Sequence, residues 1–189
     1  MWLCVMIFTT DDVTLLFKAL QFSADKHRDQ RRKGEDATPY INHPIEVAMT
    51  LWNIGKVYDI PTLAAALLHD TIEDTETTSE EIEQLFGSDV LSIVLEVTDD
   101  KSLPKLERKR LQIINAPHKS IQAKQLKLAD KACNIRDIIH APPKDWSRQR
   151  CQEYVLWSEK VVAGLRGINP PLEAYYDKFL TQAKQALES

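Results

Sequence analysis

Three carboxylates and an imidazole crowd into six residues: His69, Asp70, Glu73 and Asp74. On a helical continuation Glu73 lies four residues after His69, and Asp74 four after Asp70, so each pair shares a face. Like charges this close either weaken the fold by repulsion or surround a cation. The His-Asp pair also ends an apolar stretch, Leu63-Ala-Ala-Ala-Leu-Leu68. Two ionisable groups there are costly unless paired or bound to a metal. A helix end emerging into solvent would account for the same pair. A solvated acidic turn would account for the cluster, since Glu76, Glu80 and Glu81 continue the acidic run.

Two further elements complete a plausible site. His43 stands at a helix start after Pro39-Tyr-Ile-Asn42. Asp130 lies inside Leu126-Lys-Leu-Ala-Asp-Lys-Ala-Cys-Asn134, a helical pattern in which a mid-helix Asp is disfavoured by propensity and by burial. Asn134 shares its face. The alternative is an Asp facing solvent beside Lys127 and Lys131. Taken together, His43, His69, Asp70 and Asp130 form a mixed N/O ligand set. Such a set suits Mn²⁺, Fe²⁺ or Zn²⁺ and leaves positions open for water and substrate.

The elements that must hold these residues read as helices throughout, with no strand alternation. The expected class is all-α, a bundle of about eight to ten helices in one domain over 1–189. A first helix opens at Thr10, capped by that hydroxyl, and runs to about His27. A second opens at His43-Pro44 and stops near Gly55. The third, from about Pro61, is apolar nearly all round and belongs in the core. Thr78-Ser-Glu-Glu81 is a capping-box pattern for a fourth ending near Phe86-Gly87. A fifth runs to Val97, a sixth starts at Pro104, and Ser120 caps a seventh through Asp137. An eighth spans Asp145-Trp146 to about Gly167, and Pro170-Pro171 begin the last. Trp52 and Trp157 are expected in the core, and His118 and His140 on the surface.

Net charge is −4, so the chain as a whole does not attract nucleic acid. An anionic small molecule would need a local basic patch. His27, Arg28, Arg31, Arg32 and Lys33 supply one, although a solvated helix end with cations near its negative dipole would read the same way. The three cysteines, Cys4, Cys133 and Cys151, match no zinc spacing and indicate a reduced, cytoplasmic protein. The apolar start Met1-Trp-Leu-Cys-Val-Met-Ile-Phe8 is too short to span a bilayer and lacks the basic flank of a signal peptide. Met6 is an alternative start, and residues 1–10 are expected to be disordered or a start-site extension. No membrane association is expected, and nothing in the sequence speaks to oligomeric state.

The order His43 … His69-Asp70 … Asp130 resembles the H…HD…D signature of the HD hydrolase superfamily. More narrowly, the chain resembles the hydrolase domain of RelA/SpoT-type enzymes and their stand-alone relatives, the small alarmone hydrolases of the metazoan SpoT-like kind. The stretches that carry the likeness are Ala24-Asp-Lys-His-Arg-Asp-Gln-Arg-Arg-Lys-Gly34, Pro39-Tyr-Ile-Asn-His-Pro44, Ala65-Ala-Leu-Leu-His-Asp-Thr-Ile-Glu-Asp-Thr75 and Lys127-Leu-Ala-Asp-Lys-Ala-Cys-Asn134. Pro142-Pro-Lys-Asp-Trp146 through Gly167 resembles the small hydrolases in particular. The likeness spans about 11–180, and the chain ends where a RelA/SpoT protein would continue into its synthetase.

The resemblance implies His43, His69, Asp70 and Asp130 as ligands, most often of Mn²⁺, with Zn²⁺ and Fe²⁺ as alternatives. It implies Glu73 and Asp74 as the catalytic pair. It further implies Arg32, Lys33, Tyr40, Asn134, Arg150 and Tyr154 as substrate contacts. The implied activity is removal of the 3′ pyrophosphate from guanosine 3′,5′-bis(diphosphate), ppGpp, or from pppGpp. A phosphorus crowded by negative oxygens needs a locally activated water and offset charge, which a divalent ion with an adjacent carboxylate supplies. Two other readings stay open: a related nucleotide phosphatase acting on NADPH, and a nucleotide-sensing module without catalysis. The intact Glu73-Asp74 pair speaks against the sensor.

Overall fold

The computed structural model describes residues 8–188. Among them lie nine helices of eight residues or more, one isolated α-helical turn and a 3-10 turn at Ala116–His118. In chain order the α-helical elements are α1 (Thr10–Lys26), α2 (Asn42–Asn53), α3 (Ile60–Leu68), the single turn α4 (Thr71–Asp74), α5 (Ser79–Phe86), α6 (Ser88–Val97), α7 (Lys105–Asn115), α8 (Ile121–His140), α9 (Arg148–Ala163) and α10 (Pro170–Glu188). The one β-type pairing among the described residues is an isolated bridge between Arg31 and Pro39. The fold is all-α.

Helix α3 is the hub. Asp59 caps it by accepting from the Thr62 amide at 3.0 Å, and Pro61 sits in the first turn, where its missing N–H costs nothing. Every residue from Thr62 to Leu68 is buried. A helix with no polar face must be covered all round, and α1, α2, α6 and α8 cover it. The other long core element is α8, packed between α2 and α10. His69 and Asp70 directly follow α3, and Asp130 lies within α8, so all three sit against the core.

Four expectations need correcting. The cap of α1 is Thr9, not Thr10: Thr9 Oγ1 accepts from the Asp12 amide, and Asp12 accepts from the Thr9 amide at 2.8 Å. At α5 only half of the capping box forms. Thr78 accepts from the Glu81 amide, but the Glu81 carboxylate pairs with Lys26 at 3.0 Å, because an ammonium outcompetes a backbone amide. Trp52 and Trp157 are not fully enclosed; they pack on the margin of the core. Trp157 donates its indole N–H to the Lys109 carbonyl and lies under the Lys109 and Lys131 ammonium groups. Fourth, the helix start placed at Asp145-Trp146 is Arg148, capped by the Ser147 hydroxyl. His118 and His140 are exposed, as expected. Of the first ten residues, Phe8 packs against Trp52 with ring centroids 5.3 Å apart, and the alternative start at Met6 lies outside the described residues. No described helix is long and apolar enough to cross a membrane.

Candidate active site

The helix does not run through the His-Asp pair. α3 ends at Leu68, Asp70 takes φ −100°, ψ −2°, and α4 resumes for one turn. This break aims the two imidazole-carboxylate neighbours at α8 and separates the acidic pair. His69 Nδ1 lies 2.8 Å from the Ala66 carbonyl, which can only accept, so Nδ1 carries the hydrogen and Nε2 is left as the ligand atom. His43 comes from the first turn of α2 and Asp130 from the middle of α8; both are buried.

His43, His69 and Asp130 each present one ligand atom within 4.8 Å of the others. His43 Nε2 is 3.2 Å from Asp130 Oδ1, and His69 Nε2 is 4.0 Å from the same oxygen. Asp70 Oδ2 joins them, 3.0 Å from His69 Nε2 and 4.0 Å from His43 Nε2. All four expected ligands thus converge. His69 Nε2 is buried, with Asp70 Oδ2 as its nearest polar neighbour. Burial holds the His43 imidazole below its ordinary pKa, against the pull of Asp130, so it is in the neutral, ligating form. Burial also opposes charge on His69, but the Asp70 carboxylate outweighs it and lifts the ring to about 9. Asp70 and Asp130 are depressed despite burial, chiefly by His69 and by Lys131 respectively. The carboxylates are ionised, and two imidazole nitrogens with two carboxylates suit a divalent metal.

The acidic pair parts company. Glu73 is 19% exposed; its Oε2 accepts from the Asp99 amide at 3.0 Å, and Arg108 stands 3.8 Å from Oε1. Burial raises its pKa above the usual glutamate range. Asp74 instead lines a cavity of about 620 Å³ and pairs with Lys101.

That cavity brings together most of the expected substrate contacts. Arg32, Lys33, Tyr40, Asn134 and Tyr154 line it, along with His43 and Asp74. Arg150 is not in the lining; its guanidinium sits 4.4 Å from the Trp146 ring centroid, and Trp146 lines the wall. The basic cluster is less uniform than its sequence. Arg28 and Arg31 are exposed, but His27 is 1% exposed and contributes nothing to a surface field. Its ring instead stacks on Tyr40, centroids 4.9 Å apart. Arg32 is bound to the wall, donating to Asp137 Oδ2 at 2.6 Å and to Asn134 Oδ1 at 3.1 Å. The loop's base is closed by the Arg32 amide on the Thr38 carbonyl and the Tyr40 amide on the Gln30 carbonyl.

Several residues of the site escaped the sequence reading. Asp137 fixes Arg32. Lys101 and Arg108 face the acidic pair from the segment that joins α6 to α7 and from α7 itself. Lys127 and Lys131 do not face solvent beside Asp130; both are buried with it, Lys127 donating to the Val97 carbonyl at 3.1 Å and Lys131 to Asp130 Oδ2 at 3.3 Å. Three charges in five residues of one helix carried the signal, since a run that also holds Leu128, Ala129 and Ala132 cannot turn all of them outward.

Buried helices that bring two histidines and two aspartates to one point define the HD class, and residues 19–156 match the family model described as HD domain. The chain belongs to that family. Among its relatives, the guanosine-3′,5′-bis(diphosphate) 3′-pyrophosphohydrolase MESH1 of Xenopus tropicalis is 56% identical over 168 residues, 89% of this chain and 94% of the relative. The human protein of the same name is 56% identical over 158 residues, 84% of this chain and 88% of its own. A solved structure described as a metazoan ortholog of SpoT that hydrolyses ppGpp superposes with a TM-score of 0.88 at 46% identity, covering 94% of this chain and 98% of that one.

Proposed function

We propose that this protein is a metal-dependent hydrolase that cleaves the 3′ pyrophosphate from ppGpp and pppGpp, leaving GDP or GTP. The observation that carries the reading is the convergence of His43, His69, Asp70 and Asp130 beside a cavity lined by Arg31, Arg32 and Lys33. The relatives' names give the substrate class. The cavity's size suits a nucleotide.

In this reading the four residues hold one divalent ion, Mn²⁺ by analogy with the family. When bound, it supplies Lewis acidity and positive charge at the attacked phosphate. Lys33, exposed at the rim, draws the polyphosphate in, and Arg32 offers its fork from the wall. Tyr154 in the cavity lining and Arg150 beside Trp146 serve as the expected phosphate- and substrate-contacting pair. Asn134 donates to Asp130 Oδ1 at 2.5 Å, so it orients a ligand in addition to its expected substrate contact. Glu73, with its raised pKa, takes the proton of the attacking water. Asp74 faces the cavity and orients that water. The water oxygen bonds to the phosphorus as the phosphorus–O3′ bond breaks; O3′ takes up the proton and becomes the 3′ hydroxyl, and pyrophosphate is released. Cys133 and Cys151 are buried and free, which supports a reducing, cytoplasmic setting.

The test is turnover of ppGpp, pppGpp and NADPH by chelated and by Mn²⁺-reloaded protein, with products identified. Metal-dependent release of pyrophosphate from ppGpp supports the reading. Release of inorganic phosphate from NADPH alone, or turnover of ppGpp without metal, overturns it.

A further inference from the structure

One buried side chain beside the site has no part in the steps above. His27 closes α1, and it is enclosed although Arg28 and Asp29 next to it face solvent. Its Nδ1 bonds to Gln30 Oε1, and Gln30 Nε2 donates to the backbone carbonyl of Asp74 at 3.0 Å. The chemistry fixes the direction of both bonds. A carbonyl only accepts, so Gln30 turns its NH₂ to Asp74 and its oxygen to the ring. His27 Nδ1 must therefore carry the hydrogen. The same ring stacks on Tyr40 at an interplanar angle of 34°, and Tyr40 donates its hydroxyl to Asp70.

From this we infer that His27 is a positioning residue for the hydrolysis: acting through Gln30, it holds the turn that carries Glu73 and Asp74 in register with the metal ligands. The inference rests on the hydrolase reading above.

Packing alone does not explain the residue. Its Nε2 is buried without a partner, so a leucine or phenylalanine would fill the space at lower cost. The turn it reaches is also the one most in need of a tether. α4 is a single turn, and the last carbonyls of a helix lack partners within it. Thr75 returns its amide and its hydroxyl to the Thr71 carbonyl, and the Asp74 carbonyl is taken up by Gln30. Tyr40 gives His27 a second line of contact, to the ligand Asp70. One ring thus touches both halves of the site, the acids through Gln30 and the metal ligands through Tyr40.

Two nearly isosteric variants separate positioning from packing. In His27→Asn the amide nitrogen takes the place of Nδ1 and can still donate to Gln30; His27→Leu has the same shape and no donor. Steady-state kinetics with ppGpp and Mn²⁺ should show kcat of His27→Leu lowered by about 10- to 100-fold with KM little changed, as expected for misplaced catalytic groups. His27→Asn should recover most of that loss. Gln30→Leu should reproduce the His27→Leu defect while binding Mn²⁺ in calorimetry at wild-type strength. The double variant should be no worse than either single one, because the two side chains act as one link. Equal kcat for His27→Asn and His27→Leu in folded proteins overturns the inference, and so does an additive double variant. Wild-type protein that leaves ppGpp intact with Mn²⁺ overturns the hydrolase reading itself, a result separate from either of these.

Discussion

Tyr40 donates its hydroxyl hydrogen to Asp70 Oδ2 at 2.6 Å, so a residue of the basic loop is tied to one of the four proposed metal ligands. Burial raises the Tyr40 pKa, and the Asp70 carboxylate raises it further, so the hydroxyl stays a donor at any working pH. The bond takes up one lone pair of Asp70 and fixes which way its carboxylate faces. Tyr40→Phe keeps the ring and the stack on His27 but frees Asp70. Metal affinity should fall by about 10- to 100-fold, the usual cost of losing a partner that orients a ligand. Titration calorimetry with Mn²⁺ measures it. Unchanged affinity would show that Asp70 is held without the tyrosine.

Removing a ligand is the coarser test. His69→Ala or Asp130→Asn should abolish tight metal binding and with it turnover, because each takes away one of four donors. Thermal stability should respond differently to the two. Asp130 also pairs with Lys131 and accepts from Asn134, so its amide variant leaves a buried ammonium without its carboxylate. The cost of that unpaired charge is about 3–5 kcal/mol. Melting of the metal-free proteins compares them, and Asp130→Asn should melt lower than His69→Ala.

Glu73→Gln should keep the metal and lose turnover by about 10²–10⁴-fold, the range for removing a general base. Its stability should move the other way. A glutamate whose folded pKa is raised above the unfolded value weakens the fold where it is ionised and not where it is protonated. The amide of the Glu73→Gln variant mimics the protonated form, so the melting temperature should rise at pH 7. The gain should vanish as pH falls below the ordinary glutamate value of about 4.3. In the wild type, kcat should fall on the acid side at a pH above that value. A near-normal kcat in Glu73→Gln would move the proton acceptor to Asp74.

How much of this was visible in the sequence follows from what each feature depends on. Leu63–Leu68 could be placed in the core because a helix with no polar face has nowhere else to go, and α3 is indeed covered all round. His69, Asp70 and Asp130 stood out because ionisable groups at apolar helix positions are costly without a purpose, and the H…HD…D resemblance added His43 as the fourth candidate ligand. What could not be read is direction. The kink at Asp70 sends Glu73 toward Asp99 and Asp74 toward the cavity, although their spacing in an unbroken helix puts each on the face of a ligand. Long-range partners were also hidden. Arg32 meets Asp137, 105 residues away, and His27 turns inward from a run of cations that looks uniformly solvent-exposed.

Arg32 and Lys33, adjacent in the chain and alike in charge, should therefore behave differently. Lys33 is exposed at the rim of the cavity. Changing it to Ala should shift stability by no more than about 0.5 kcal/mol, as for most surface positions. If it draws in the polyphosphate, KM for ppGpp should rise by about tenfold, matching one charge-assisted contact of roughly 1.5 kcal/mol. The effect should shrink with added salt, because an exposed ammonium is screened. Arg32 is a different case. Its guanidinium is 21% exposed, bound to Asp137 and Asn134, and 5.7 Å from the Tyr40 ring centroid. Arg32→Ala leaves Asp137 Oδ2 without its donor, with Arg136 still 3.3 Å from Oδ1, and frees Asn134, which donates to Asp130. Stability should drop by about 1–2 kcal/mol, the cost of stranding half-buried partners. Both kcat and KM should suffer. Arg32→Lys should recover the charge but not the two-pronged contact, since an ammonium is a point donor. Denaturant melts and initial rates at two salt concentrations, run on the two single Ala variants side by side, decide the matter. Equal stability in the two would mean that the Asp137 contact does not hold the loop. An unchanged KM in Lys33→Ala would mean that the polyphosphate enters from elsewhere.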